Sequence, residues 1–189
     1  DRYLLRIETT NARLYGSMHA GRRLSTRLAC LEALKGLGYQ VGSGIMVGLK
    51  GQTLGTIARD IQFFKKSGLD MIGIGPFIPH RGTAFGAEPA GSVELTLKAI
   101  ALTRIVTKDA HMPATTALGS LGRDYRMDGL KAGANVLMPN FTPLPYKKLY
   151  EIYPGKRCVA ERSGACVSCL DAKVHDIGRS VDLSIGHSL

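Results

Sequence analysis

Apolar residues along this chain fall alternately into short runs and into helical stripes. Residues 3–8 open as a strand, and Tyr3-Leu4-Leu5-Arg6-Ile7 reads as a buried one. Residues 22–37 read as a helix, because Leu24, Leu28, Leu31 and Leu34 recur along one stripe and Gly38 supplies a stop. Residues 41–49 form a glycine-rich apolar strand. Residues 53–67 form a second helix, with Leu54, Ile57, Ile61 and Phe64 on one face and Gly68 after it. A strand over 71–77 runs into a loop between Pro76 and Pro79. Ser92 caps a helix that reaches about Thr107. A short strand at 113–118, a short helix at 124–132, a last strand at 134–138 ended by Pro139, and a helical stretch at 143–150 complete the pattern.

Repeated strand–helix units with apolar strands predict an α/β fold on a parallel sheet. A doubly wound sheet and a (β/α)8 barrel both fit. Five strand segments are too few for a whole barrel and about right for its second half, strands four to eight. No Gly-x-Gly-x-x-Gly joins the first strand to its helix, which argues against a dinucleotide fold.

In a barrel the chemistry lies at the C-terminal ends of the strands, and alternate residues point inward. Leu4, Arg6 and Glu8 then share a face, with two charges near the strand's end. They are either an ion pair that braces the mouth or a pair that binds a polar ligand. On the second strand Gly42, Gly44 and Gly48 share a face with Met46, and on the third Met71, Gly73 and Gly75 do. Such a face either leaves a cavity hollow or packs glycine tightly. Thr115 and Thr116 close the fourth strand, as hydroxyls for a polar ligand or as plain strand formers. Val136, Met138 and Asn140 share a face of the last strand, where Met138 either touches substrate or fills core.

Composition narrows the function classes. The chain has 189 residues, is 44% hydrophobic and carries a formal net charge of +10. Its basic residues are dispersed, Arg22, Arg23 and Arg27 being the densest group, and no aromatic-plus-basic signature accompanies them. Nucleic acid is therefore a poor candidate partner, and a solvated basic surface or an acidic partner fits better. No stretch is apolar enough for a membrane span, and no signal peptide opens the chain, so a cytoplasmic location is expected. A start in mid-strand suggests residues upstream. Cys30 reads as a small core residue, while Cys158, Cys166 and Cys169 cluster. A Cys-x-x-Cys turn places two thiolates within reach of one metal or cluster. The open position suits zinc with His175 or Asp171, an iron–sulfur cluster, or a disulfide with a spare thiol. The histidines His19, His80, His111 and His187 show no metal spacing and read as surface or loop residues, His80 alone having a place beside the barrel mouth as its alternative.

Several runs together resemble a known family. Arg-Tyr-Leu-Leu-Arg-Ile-Glu-Thr-Thr-Asn (2–11), Met-Val-Gly-Leu-x-Gly-Gln-Thr (46–53), Asp-Met-Ile-Gly-Ile-Gly-Pro-Phe-Ile-Pro-His (70–80), Pro-Ala-Thr-Thr-Ala (113–117), Gly-Ala-Asn-Val-Leu-Met-Pro-Asn (133–140) and Tyr-Pro-Gly-Lys-x-Cys (153–158) are similar to the HydE family of [FeFe]-hydrogenase maturases. These stand with biotin synthase and methylornithine synthase among barrel-type radical S-adenosylmethionine (SAM) enzymes. The resemblance implies that residues 1–153 are the C-terminal half of a radical SAM barrel and 154–189 an extension. It implies SAM contacts at Arg6, Glu8 and Arg27, Glu8 toward the ribose and Arg27 toward the carboxylate. It implies a small-molecule cavity lined by Leu4, Met71, Thr115, Thr116, Met138, Tyr150 and Tyr153, and an accessory Fe–S cluster on Cys158, Cys166 and Cys169. The family's Cys-x3-Cys-x2-Cys motif, which holds its SAM-cleaving 4Fe–4S cluster, is absent here. The expected partners are therefore a missing N-terminal half-barrel and the hydrogenase maturation proteins, and this chain alone is expected to be inactive. A mutase like methylornithine synthase, a sulfur-insertion enzyme like biotin synthase, and a non-catalytic metal-binding module are the competing readings.

Overall fold

The computed structural model describes residues 1–150, 152–156 and 165–187. Three parallel strands carry its sheet in sequence order: β1 (Arg2–Leu4), β2 (Gln40–Val47) and β3 (Met71–Pro76). The ladder then continues through isolated parallel bridges, Met71 and Ile74 to His111 and Ala114, and Pro113 to Val136. The five expected strand positions thus lie side by side in chain order, but the last two are bridges rather than strands. Pro113 has no N–H to donate to a ladder. The Asn135 side chain takes a neighbouring donor, its Oδ1 accepting from the Met112 amide at 2.7 Å.

Each crossover is helical, and the caps follow from the sequence. In α1 (Ala12–Met18) the Asn11 side chain accepts from the amides of Arg13 and Leu14. The next helix, α2, spans Leu24–Gly36. In α3 (Leu54–Ser67) Thr53 caps the start, and Gly68 ends it at φ 51°, the left-handed conformation that glycine adopts freely. In α4 (Val93–Thr107) the Ser92 hydroxyl accepts from Leu95. Short helices α5 (Arg126–Lys131) and α6 (Leu144–Lys147) and the longer α7 (Ala165–Asp176) follow.

The core lies between sheet and helices. Val41, Ile45 and Val47 of β2 and Ile72 and Ile74 of β3 meet Ile57, Ile61 and Phe64 of α3 and Ile100 of α4. Truncating Phe64, which is fully buried, would cost about 3–5 kcal/mol. Val174 of α7 joins the same cluster. No described helix is long and apolar enough to cross a membrane.

Several expectations are corrected. Tyr3 and Leu4 are half-exposed, on a strand β1 that pairs on one side only, with β2, among the described residues. Leu54 is exposed because it opens α3, one turn before the helix meets the sheet. Cys30 is exposed on α2 rather than buried. His111 is no surface residue: it pairs with Met71 on the sheet, and both ring nitrogens are shielded from water. Thr115 and Thr116 do not close a strand; Thr115 stands at the start of a 3-10 turn over Thr116–Gly119, its carbonyl accepting from Leu118 N. The segment after Gly178, which carries no readable pattern, returns to the strand starts, where Arg2 Nη2 donates to the carbonyls of Ile185, at 2.6 Å, and Gly186.

The loop between β3 and α4 has a closed neck. Phe77 N donates to Val47 O and Gly91 N to Phe77 O, both at 2.8 Å. A Cβ on Gly48, where φ is 97°, would stand 2.3 Å from Gly91 Cα. Both positions require glycine.

Candidate functional site

The face of the sheet opposite the helices is nearly bare of its own side chains. Gly42, Gly44, Gly73 and Gly75 line it, and neighbouring strands fill the space. A Cβ on Gly42 would lie 2.8 Å from Leu4 Cδ1 and 3.1 Å from Met71 Cβ. One on Gly44 would lie 2.9 Å from Arg6 Nη1, one on Gly73 2.7 Å from the same atom, and one on Gly75 2.8 Å from Thr115 Oγ1. Of the two meanings open for these glycines, the structure shows the packed one: Leu4, Arg6 and Thr115 lie over them.

Arg6 reaches across β2 to β3. Its Nε and Nη2 donate to the two oxygens of Glu8 at 2.9 and 3.0 Å, its Nη2 also to Ile45 O at 2.7 Å, and its Nη1 to Gly73 O at 3.2 Å. Four of the five guanidinium hydrogens are thereby used. The Glu8 carboxylate accepts one bond on each oxygen and keeps lone pairs for a further donor. Glu8 is one of two non-glycine residues in the described chain with positive φ, at 64°. Such a backbone costs of order 1 kcal/mol or more and is kept only where its surroundings enforce it. Two backbone bonds do so, Glu8 N to Gly44 O and Met46 N to Glu8 O.

The segment after Glu8 is anchored from below. Asp60 of α3 is fully buried and accepts from both the amide and the hydroxyl of Thr10. Burial pushes its carboxyl above the ordinary range, while the Thr10 bonds and the Arg59 charge pull the other way. Asp60 was not singled out from the sequence, although an acid on the apolar face of a helix is a visible signal. Gln52 similarly holds the end of β2, accepting from Gly48 N and donating to Met46 O.

Arg27, from α2, comes to the same place. Its Nη1 donates to the Arg6 carbonyl at 3.1 Å and its Nε to the Tyr15 hydroxyl at 3.2 Å. Arg6, Glu8 and Arg27 are therefore gathered at the C-terminal end of β1. Leu4 and Met71 both stand over Gly42. Thr115 is buried, and its hydroxyl has no partner among the described residues. Burial pushes the Tyr153 hydroxyl up against the opposing effect of hydrogen bonds with Thr116 and Ser120, so Thr116 and Tyr153 are together. Met138 is exposed. Tyr150 is exposed as well and lines an open groove of about 660 Å³ with Thr142, Pro143, Tyr146 and Leu149.

Of the cysteine cluster, Cys158 lies outside the described residues. Cys166 and Cys169 fall in the first turns of α7 rather than in a turn, and Cys169 is a free, exposed thiol. No group of three His, Cys, Asp or Glu among the described residues is arranged to hold a metal. The helix is fastened by Lys173, which donates to Asp124 at 2.9 Å. Asp124 also accepts both Nε and Nη2 of Arg126 at 2.9 Å. Burial would raise the Asp124 carboxyl, but the bonds from Arg126 and Lys173 outweigh it and hold it well below the usual carboxylate range.

No family model matches the chain. It is 49% identical over 179 residues, 95% of its length, to the [FeFe] hydrogenase maturase subunit HydE of Thermotoga maritima. The chain is a HydE relative. It covers 51% of that protein. It is also 27% identical over 135 residues to the 3-methylornithine synthase of Methanosarcina acetivorans, 71% of this chain and 38% of that one. The chain thus spans about half the length or less of the curated relatives it matches. A crystal structure of methylornithine synthase (PylB) superposes with a TM-score of 0.73 at 22% identity, over 95% of this chain and 51% of that chain, a likeness of fold.

Proposed function

We propose that this chain is the C-terminal half, about strands four to eight, of a radical SAM barrel enzyme of HydE type that acts in maturation of the [FeFe]-hydrogenase active-site cluster. The observation that carries the reading is the gathering of Arg6, Glu8 and Arg27 at the C-terminal end of β1, where barrel enzymes keep their chemistry. Parallel strand positions in chain order support the barrel reading, and 49% identity to HydE supports it over a methylornithine-synthase-like mutase at 27%. A biotin-synthase-like sulfur insertion and a bare metal-binding module have no observation of their own in favour.

The residues fit SAM. Glu8 offers carboxylate lone pairs to the ribose hydroxyls, and Arg27 offers guanidinium N–H groups to the methionine carboxylate. The two Arg6–Glu8 bonds fix the orientation of the carboxylate. SAM beside a reduced 4Fe–4S cluster would supply a 5′-deoxyadenosyl radical, with the cluster's cysteines in an N-terminal half outside this chain. The inner face, with Leu4, Met71 and the buried Thr115 hydroxyl, would receive the small sulfur-containing iron substrate. Thr116, Met138, Tyr150 and Tyr153 belong to the same assignment, and Cys158, Cys166 and Cys169 would hold the accessory Fe–S cluster. The working partners would be the other hydrogenase maturation proteins.

The test is SAM affinity in the full-length protein. Glu8→Gln and Arg27→Ala each lose charge-assisted bonds worth about 1.5–3 kcal/mol, or roughly ten- to a hundredfold in Kd. Unchanged titration calorimetry for both variants would remove the assignment.

A further inference from the structure

A guanidinium recognises a carboxylate well only when its plane is fixed, because the two parallel N–H bonds must point together. Arg27 has such a fixture within the chain itself. Its Nη1 is tied to the Arg6 carbonyl and its Nε to the Tyr15 hydroxyl, two anchors on different nitrogens that hold the guanidinium plane against rotation about the Cδ–Nε bond. Nη2 has no partner among the described residues and forms no ion pair there.

Tyr15 is built to be that anchor. It lies on the buried side of α1 with 2% of its surface exposed. The His19 ring stacks on it, with centroids 4.5 Å apart and planes 17° from parallel. Asn11 fixes the start of the helix that carries it. A buried tyrosine hydroxyl needs a hydrogen-bond partner, and here the partner is the charged side chain at the candidate site. Nothing in the sequence marked Tyr15, since a tyrosine on a short helix reads as core.

We propose that Tyr15 is the positioning residue of Arg27: by accepting from Nε it sets the guanidinium plane that meets the carboxylate of the SAM methionine. This rests on the SAM reading above. Tyr15 touches no ligand itself. It governs only the part of binding that passes through Arg27, so its effect is confined to ligands that carry the carboxylate.

The experiment measures the Kd of SAM and of 5′-methylthioadenosine, which keeps the adenosine and lacks the amino-acid carboxylate, on the full-length protein. Arg27→Ala is expected to weaken SAM tenfold or more and 5′-methylthioadenosine less than about twofold. Tyr15→Phe, which keeps the ring and its stack on His19, is expected to weaken SAM by roughly three- to tenfold and to leave 5′-methylthioadenosine unchanged. In an Arg27→Lys background, where no Nε reaches the hydroxyl, Tyr15→Phe should add nothing. Tyr15→Phe with unchanged SAM affinity, or with both ligands weakened equally, overturns the positioning role while leaving the Arg27 assignment intact. Arg27→Ala that weakens both ligands equally, or neither, overturns the carboxylate reading itself.

Discussion

Asp124→Asn is expected to be among the most damaging single-atom-scale changes outside the apolar core. The carboxylate is 13% exposed and accepts the backbone amide and two side-chain N–H groups of Arg126, whose side chain is 6% exposed, and one N–H of Lys173. An asparagine keeps the volume and one acceptor oxygen but removes the charge facing a buried guanidinium. Breaking a buried pair from one side costs about 3–5 kcal/mol, and the retained acceptor places this variant near the lower end, about 3 kcal/mol. Lys173→Met cuts only the bond from Lys173, whose own side chain is 37% exposed, and about 0–1 kcal/mol follows for such a pair. The chain has no tryptophan, so far-UV circular dichroism in urea is the suitable probe. With a slope of about 2–3 kcal/mol/M, Asp124→Asn should lower the midpoint by roughly 1 M or more, several times the shift of Lys173→Met. The pH dependence has a definite sign. A carboxyl whose folded pKa is depressed adds stability above its unfolded value, near 3.8, and that stability is lost as pH falls toward the folded pKa. The parent should therefore lose stability below about pH 4 more steeply than Asp124→Asn. A variant within 0.5 kcal/mol of the parent, with the same acid limb, would refute the reasoning.

Gly73→Ala and Gly44→Ala should part company. A Cβ on Gly73 meets only the far end of Arg6, so the fold should persist while the Arg6–Glu8 pair is displaced and SAM affinity drops several-fold. On Gly44 it meets Gly73 O at 2.2 Å, backbone that cannot yield, and a fall in thermal midpoint is expected instead. Replacing Cys158, Cys166 and Cys169 together by serine in the full-length protein should remove one cluster's iron and leave hydrogenase maturation intact. Unchanged iron content with stoichiometric zinc, or lost maturation in a folded protein, would oppose the accessory-cluster proposal.

The sequence pattern was most legible where one rule acted alone. α3 begins after Thr53 and ends at Gly68 because a hydroxyl cap and a left-handed glycine are local devices. The same holds for Ser92 and α4. The Arg6–Glu8 pair was legible from strand alternation, but the arrival of Arg27 beside it was legible only through the family resemblance, since Arg6 and Arg27 meet by tertiary packing. Leu54 and Cys30 misled because helical spacing does not say which turn reaches the sheet. The fourth and fifth strands shrank to bridges because Pro113 withholds a donor, a cue present in the sequence but outweighed by the apolar run around it. Tyr15 and the tail at Ile185 act through tertiary partners that no local pattern announces, and the acid Asp60, visible on the apolar face of its helix, gives no sign that Thr10 is its partner.

The closed neck at Gly48 and Gly91 separates two quantities that are usually linked, the length of a loop and the cost of closing it. The ends of the segment between Phe77 and Gly91 are held together by backbone contact whatever lies between them. Added residues would raise only the closure entropy, by about 0.6 kcal/mol for each doubling of length. The strand ends that carry Glu8 and Gly48 would not feel the insertion. This loop, with Phe85 beside Lys50 and Asn11 at a cleft of about 430 Å³, is thus the part of the scaffold that evolution or an engineer could lengthen to reshape the mouth without resetting the sheet.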